Sequence, residues 1–357
     1  MLVLYGATGY TGRLVAHELA TAGDEFVLSG RDRTKLDALA AELEDTNAVR
    51  PDVRVADATD PAALRSAFDG ASAVISAAGP FSRFGLGVVA AAVDAGAHYC
   101  DTTGEPAFQL AVEDRFAAAP VTVVPACGFD YVPHDLAAAA AVAALDGDVD
   151  RVETALSVES FGTSRGTKAS ALGAVADPML EWTGGSWQPA RAGADVRTFA
   201  FGDRDAPAVL YPGGDAVQIR LHTGARTIRT WFVLPGRSVG VARVVAAGMR
   251  RGSLLSHGPL RAGLERLVDR AEEGPSDDRR RAARFAVLAE ATGPGGTRRA
   301  MSTGTDVYGL TAVVVARIGR LLADDGGVPR GVRAPADVVG DPFAFAADCG
   351  FRLDLVD

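Results

Sequence analysis

LVLYGATGYTGRLVAHELAT, residues 2–21, decides the fold. The apolar run Leu2 to Tyr5 reads as a strand and the amphipathic stretch Arg13 to Thr21 as a helix. Between them stand Gly6, Gly9 and Gly12, spaced by three. Glycines so spaced often mark only a turn. After a strand, and opening a helix in the first unit of a βα series, they mark a dinucleotide-binding turn. Gly6 permits the tight turn, Gly9 lets the backbone approach a pyrophosphate, and Gly12 lets the helix pack closely on the sheet. Free amides at the helix start then face the anion. Thr8, Tyr10 and Thr11 share the loop and complete this set of candidate cofactor-binding residues.

Outward from that turn the same unit repeats. EFVLS (25–29) precedes TKLDALAAELE (34–44), and VRVA (53–56) precedes a helix opening at Asp60 with Pro61 in its first turn. AVISAA (73–78) precedes a helix over 85–96 that Gly96 stops; HYCD (98–101) precedes 106–118; VTVVP (121–125) closes the series. Short apolar strands separated by helices imply right-handed crossovers and a parallel sheet covered on both faces. The expected fold is therefore α/β: a doubly wound parallel-sheet Rossmann domain that binds its ligand at the carboxyl ends of the strands.

The choice of dinucleotide rests on the end of the second strand, LSGRDRTKL (28–36). An acidic residue there would accept the ribose 2′-hydroxyl of NAD and repel the 2′-phosphate of NADP. Ser29, Gly30 and Arg31 occupy that place, followed by Arg33 and Lys35. A guanidinium grips two phosphate oxygens, which favours NADP(H); the competing reading is a solvated basic turn beside Asp32. Asp57 either lies beside the adenine or serves a turn, and Ala78, Gly79 and Pro80 border the nicotinamide end.

Composition argues against one class of partner. Over 357 residues the net charge is −9 and the pI about 5.2, which argues against nucleic acid. Cys100, Cys127 and Cys349 are odd in number and form no CxxC, pointing to a reducing compartment and no structural zinc. His98 and Cys100 share a strand face but gather no further ligands, so no metal is expected. The first strand at residue 2 leaves no room for a leader, and no apolar run reaches the roughly 18 residues of a membrane span. A cytoplasmic protein is the expectation.

Several stretches together resemble the saccharopine dehydrogenase-like oxidoreductases, above all their trans-acting enoyl reductase branch. These are GATGYTGRLVAHELA (6–20), SGRDRTKL (29–36), AAGPFSRFGLGVVAAAVDAGAHYCDTTGE (77–105) and CGFDYVPHDL (127–136). Weaker echoes follow in SRGTKASAL, EEGPSDDRRRAARF, TGTDVYGLTA and GVRAPADVVGDPFAFAADCGF. The resemblance implies NADP-linked reduction, with a lipid- or polyketide-type double bond as substrate in the enoyl reductase branch. In the amino-acid branch it implies saccharopine-type imine chemistry. It also implies a C-terminus that returns to the nucleotide domain. A third reading is an NADP-binding sensor or scaffold without turnover.

The domains expected are 1–130 for the nucleotide, 131–302 for the substrate and 303–357 as a helical segment returning to the first. After a helix at about 133–145, VETALSVES (152–160) alternates as a strand, and 169–182 reads as a helix. VRTFAF, AVQIRLHT and RTIRTWFVL then read as antiparallel strands, giving a second α+β domain with a largely antiparallel sheet; 306–323 reads as a helix. The Tyr-x-x-x-Lys pair of short-chain dehydrogenases is absent, since neither Lys35 nor Lys168 follows a tyrosine by four.

Hydride transfer belongs to the cofactor, so what is left to the protein is position, polarisation and any proton. Tyr99, Asp101, Glu105, Asp130, Tyr131 and His134 are the proton donors near strand ends. Asp130, Tyr131 and His134 follow the sixth strand and are the catalytic candidates, although Asp130 and Asp135 also suit a helix cap. Arg165, Thr167 and Ser170 are candidates for an anionic or carbonyl substrate group. Residues 236–264 carry Arg237, Arg243, Arg250, Arg251 and Arg261 without an acid. That stretch is either a peripheral membrane or acyl-carrier contact, or a solvated or homodimer face.

Overall fold

The computed structural model describes residues 1–160, 164, 179–202, 204–234, 240, 243 and 274–357. Its apolar runs form β1 (Leu2–Tyr5), β2 (Phe26–Gly30), β3 (Asp52–Val55), β4 (Ala73–Ser76), β5 (His98–Asp101) and β6 (Thr122–Val124). Between them lie α1 (Tyr10–Thr21), α2 (Arg33–Asn47), α3 (Pro61–Phe68), α4 (Phe81–Asp94) and α5 (Pro106–Phe116). Local chemistry sets the boundaries: Asp60 accepts the Ala62 and Ala63 amides with Pro61 in the first turn, and Gly96 takes φ +71° after α4. The sheet is wholly parallel in the order β15-β6-β5-β4-β1-β2-β3, so the six expected strands stand in the doubly wound arrangement. The seventh, β15 (Gly331–Val332), is added beside β6.

Contacts divide the described chain into two units, Met1–Val132 with Tyr308–Val339, and Pro133–Val307 with Gly340–Asp357. The returning segment is thus shorter than 303–357. Helix α9 (Val307–Ala323) lies against the first sheet, where a Cβ on Gly319 would stand 2.5 Å from Ile75 Cδ1. The last residues instead form α10 (Pro342–Asp348) and β16 (Arg352–Val356), whose ladder partner β14 is in the second unit.

In that second unit α6 (Val132–Ala143) leads to β7 (Arg151–Glu159), β8 (Met179–Thr183), β9 (Ser186–Ala190), β10 (Val196–Phe201) and β11 (Arg204–Leu210). They are followed by α7 (Asp215–Thr223), β12 (Thr227–Val233), α8 (Asp277–Ala282), β13 (Arg284–Gly293) and β14 (Gly296–Thr305). The sheet runs β10-β11-β12-β7-β13-β14-β16, antiparallel except for β12 beside β7, with the β8–β9 hairpin attached to β12.

Two sequence expectations are corrected. AVQIRLHT is α7, not a strand: it lies between Gly214 and Gly224, and Gly224 takes φ +68°. Its first five residues, Asp215 to Ile219, are all buried, which hides the helical period. The helix expected over 169–182 ends as a strand, because Met179–Thr183 pairs with Ser186–Ala190 around Gly184 and Gly185, both at positive φ. Residues 169–178 lie outside the described residues.

Candidate functional site

The glycine loop shows three different demands. Gly6 takes φ +80°, and a Cβ there would meet the Ala78 amide nitrogen at 2.7 Å. A Cβ on Gly12 would stand 2.2 Å from the Gly6 carbonyl oxygen, so at Gly12 the first turn of α1 lies directly against the glycine turn. A Cβ on Gly9 would meet nothing nearer than 3.5 Å. Gly6 and Gly12 are therefore filled by protein, and Gly9 is exposed with open space above it. Gly9 also begins α1 without a side-chain cap, and the first turn carries no acidic residue. Such a helix start suits a pyrophosphate. Thr8 and Thr11 are half-buried in the loop, and Tyr10 meets Tyr308 of α9 edge to face at 5.2 Å.

At the end of β2, Ser29 is buried and its carbonyl accepts the Gly6 and Ala7 amides, tying β2 to the loop. Gly30 closes the strand. Asp32, the nearest acid, is engaged as the cap of α2, accepting the Lys35 amide at 3.1 Å. Arg33 is held by Asp37 at 2.9 Å. Arg31 is exposed and makes no ion pair among the described residues. Lys35 is exposed beside it. Asp57 accepts the Thr59 amide at 2.8 Å and hydroxyl at 2.6 Å, and these bonds, with Arg31 nearby, hold its carboxyl below the usual range. The edge that would meet an adenosine ribose thus offers an uncommitted guanidinium and no free carboxylate at the end of β2. These residues fit NADP(H).

The carboxyl ends of β4, β5 and β6 are tied together by two acids. Ala78, Gly79 and Pro80 link β4 to α4 with a cis Gly79–Pro80 bond. Glu105, buried in the loop after β5, accepts the Phe81 and Ser82 amides at 3.0 and 2.7 Å and so caps α4 from outside. Asp101 Oδ1 accepts the Thr103 and Ala126 amides at 2.9 and 2.8 Å, joining the loops after β5 and β6. Burial pushes the Asp101 carboxyl up to about 7, against those amides and Tyr99, which lower it. Tyr99 is wholly buried, and burial and then Asp101 push its phenol up as well. Asp101, Tyr99 and Glu105, read from sequence as proton donors, are engaged in holding loops or enclosed by the fold. That role has no period in the sequence, because it joins residues some 25 apart.

Of the three catalytic candidates, Asp130 and Tyr131 lie in the loop after β6. Asp130 is half-buried, and its Oδ1 sits 2.4 Å from where a Gly128 Cβ would be, so Gly128 makes room for it. Tyr131 is buried. The Phe129 amide donates to Thr311 Oγ1 of α9 at 3.1 Å, an anchor that sequence reading missed because nothing in GLTAVVVA sets that threonine apart. His134 belongs to the second unit, buried on α6 with Nδ1 2.9 Å from Asp215 of α7. One residue on, Asp135 pairs with His222 of α7 at 2.6 Å. Arg165, Thr167 and Ser170 lie outside the described residues, as does 236–264 apart from Gly240 and Arg243. Among the described residues no helix is long and apolar enough to cross a membrane.

Comparison with known proteins agrees with this geometry. Residues 2–124 match the saccharopine dehydrogenase NADP binding domain. The trans-acting enoyl reductase of Mycobacterium ulcerans is 30% identical over 396 residues, covering 95% of this chain and 93% of that one. A Mycobacterium tuberculosis relative carrying the same family name is 39% identical over 181 residues, which span 48% of this chain but only 43% of that relative. Saccharopine dehydrogenase (L-Glu forming) from Saccharomyces cerevisiae has the same fold, with a TM-score of 0.62 at 15% identity over 100% of this chain and 99% of that one. The chain belongs to the saccharopine dehydrogenase-like oxidoreductases, in the trans-acting enoyl reductase branch.

Proposed function

We propose that this protein is an NADP(H)-dependent oxidoreductase that reduces the carbon–carbon double bond of an enoyl group in a lipid- or polyketide-like substrate. The observation that carries the cofactor half is the contrast at the glycine loop, filled at Gly6 and Gly12 and open at Gly9, next to an uncommitted Arg31. The named activity of the Mycobacterium ulcerans relative supports the enoyl half. When bound, the dinucleotide supplies the hydride. The loop over 6–12 orients its pyrophosphate, Arg31 and Lys35 meet the 2′-phosphate, and the turn over 78–80 borders the nicotinamide. The proton that completes the new CH–CH unit is given by the loop after β6, where Asp130 and Tyr131 are the donors at hand.

The test is to titrate the protein with NADPH and NADH and then follow NADPH oxidation with 2-enoyl pantetheine thioesters, with imino acids in parallel. NADPH-selective binding and thioester-dependent oxidation are expected. Binding of neither nucleotide would remove the oxidoreductase reading; oxidation only with imino acids would replace the enoyl substrate by the amino-acid one.

A further inference from the structure

The two edges of the second sheet end differently. At one, β10 bends back over its own sheet: Arg197 on it reaches Glu153 of β7 and Glu290 of β13, and Phe199 meets Trp231 at 5.7 Å. At the other, β16 pairs with β14 alone among the described residues. An open edge is a template for another strand, and folds blunt it with lysine, proline, a bulge or a cover. β16 has an unbroken ladder, no lysine and no proline, and its side chains stand in solvent. Leu355 is 53% exposed, and the Arg352 and Asp354 side chains are 79% and 49% exposed.

The ladder sorts these residues by face. Leu353 and Leu355 lie on the face of their β14 partners Ser302 and Ala300, and Phe351 continues that row over Gly304, whose Cβ would stand 3.1 Å from its own. Arg352 and Asp354 lie together on the opposite face, 3.2 Å apart. Beside the strand, Phe343 and Ala347 of α10 and Gly350 wall a groove that runs along the edge from Phe351 to Asp354. Phe343 is itself exposed there.

An antiparallel pairing of β16 with a second β16 is fixed throughout by the residue at its twofold axis, because residues that stand opposite share a face. Centred on Asp354, the pairing sets that carboxylate against its own copy; centred on Arg352, it opposes two guanidiniums. Centred on Leu355, it sets Asp354 opposite Val356. Centred on Leu353, it sets Arg352 opposite Asp354 of the second copy, twice over. Leu353 then meets Leu353, and Leu355 meets Phe351 beside the groove that Phe343 walls. In that one register every charge of the strand meets its opposite and the exposed leucine meets an apolar ring, so the strand is complementary to itself.

We propose that β16 is the surface through which two copies of this chain associate, joined antiparallel about Leu353 into one continuous sheet, with an Arg352–Asp354 pair on each side of the axis.

The experiment is sedimentation velocity of the whole protein from about 1 to about 100 µM, with Arg352→Asp, Asp354→Arg, the double exchange of both, and Leu355→Asn. A concentration-dependent dimer is expected for the wild type. Each single reversal puts like charges opposite one another and should weaken it at least tenfold, and the double exchange should restore it. Circular dichroism and NADPH affinity should be unchanged, since both charged side chains are exposed. Leu355→Asn leaves every charge in place and should also weaken the dimer at least tenfold, so it carries the comparison if a reversal fails to fold. A monomer across the whole range overturns the proposal. So does a dimer that the reversals and Leu355→Asn leave intact, which would place the contact on another face. A double exchange no stronger than the single reversals overturns the register about Leu353, and with it the proposal.

Discussion

Glu105 accepts the backbone hydrogen of Ser82 at 2.7 Å, so a side chain from the loop after β5 begins the helix that follows β4. Helix α4 starts at Pro80 without a cap of its own, and this carboxylate satisfies two of its first amides. Glu105→Ala strands both amides and is expected to cost about 1–2 kcal/mol. Glu105→Gln, which keeps an acceptor, should cost less. Denaturant titration ranks the variants, and hydrogen exchange at Phe81 and Ser82 should quicken in the alanine form first.

Gly9 and Gly12 separate folding from binding. A Cβ at Gly12 meets backbone atoms that cannot turn aside, so Gly12→Ala should lose about 1–3 kcal/mol of stability. Gly9 has φ −75° and open space, so Gly9→Ala should melt within a degree or two of the wild type yet bind NADPH at least tenfold more weakly. Thermal melts and nucleotide titration on the two variants read the two effects apart.

Arg31→Asp should weaken NADPH at least tenfold and leave NADH unchanged or tighter, since the change removes a phosphate donor and supplies a ribose acceptor. Because the wild-type contact is between charges at an exposed edge, its NADPH affinity should fall with salt more steeply than that of the variant. Isothermal titration at two ionic strengths checks both.

Asp101 sets a pH signature. Its carboxyl is raised from 3.8 to about 7, so the folded state holds a proton that the unfolded state releases between those values. The contribution is fully present below about 4, falls as pH rises, and is lost above about 7, a drop of a few kcal/mol. Asp101→Asn keeps an oxygen for the Thr103 and Ala126 amides and has nothing to titrate. Its stability should therefore gain on the wild type as pH goes from 5 to 8, and urea denaturation at those two values measures the difference.

The nucleotide fold was legible because each βα unit carries its own punctuation: Asp60–Pro61 opens α3 and Gly96 stops α4. β15 was not, since Gly331–Val332 is too short to show a period. AVQIRLHT misled because a helix buried on nearly all sides looks like any apolar run. At the candidate site the glycines and Arg31 were readable as local chemistry. Glu105, Asp101 and Thr311 were read as donors or passed over, because their partners lie far along the chain and only the folded sheet brings them near. His134 looked available in sequence, and the structure sets Asp215 beside it.

Neither unit is a continuous length of chain. The first sheet is completed by Gly331–Val332 and covered in part by Gly319, and the second by Arg352–Val356. During synthesis, therefore, the segment up to Val132 emerges with the β6 edge and the Ile75 face still bare, and it must wait through Pro133–Val307 for the residues that close it. Truncation before Tyr308 should yield an aggregation-prone Rossmann half rather than a free-standing nucleotide module. The two units are tied to one another in time as well as in sequence, and residues 308–357 are the ones that finish both.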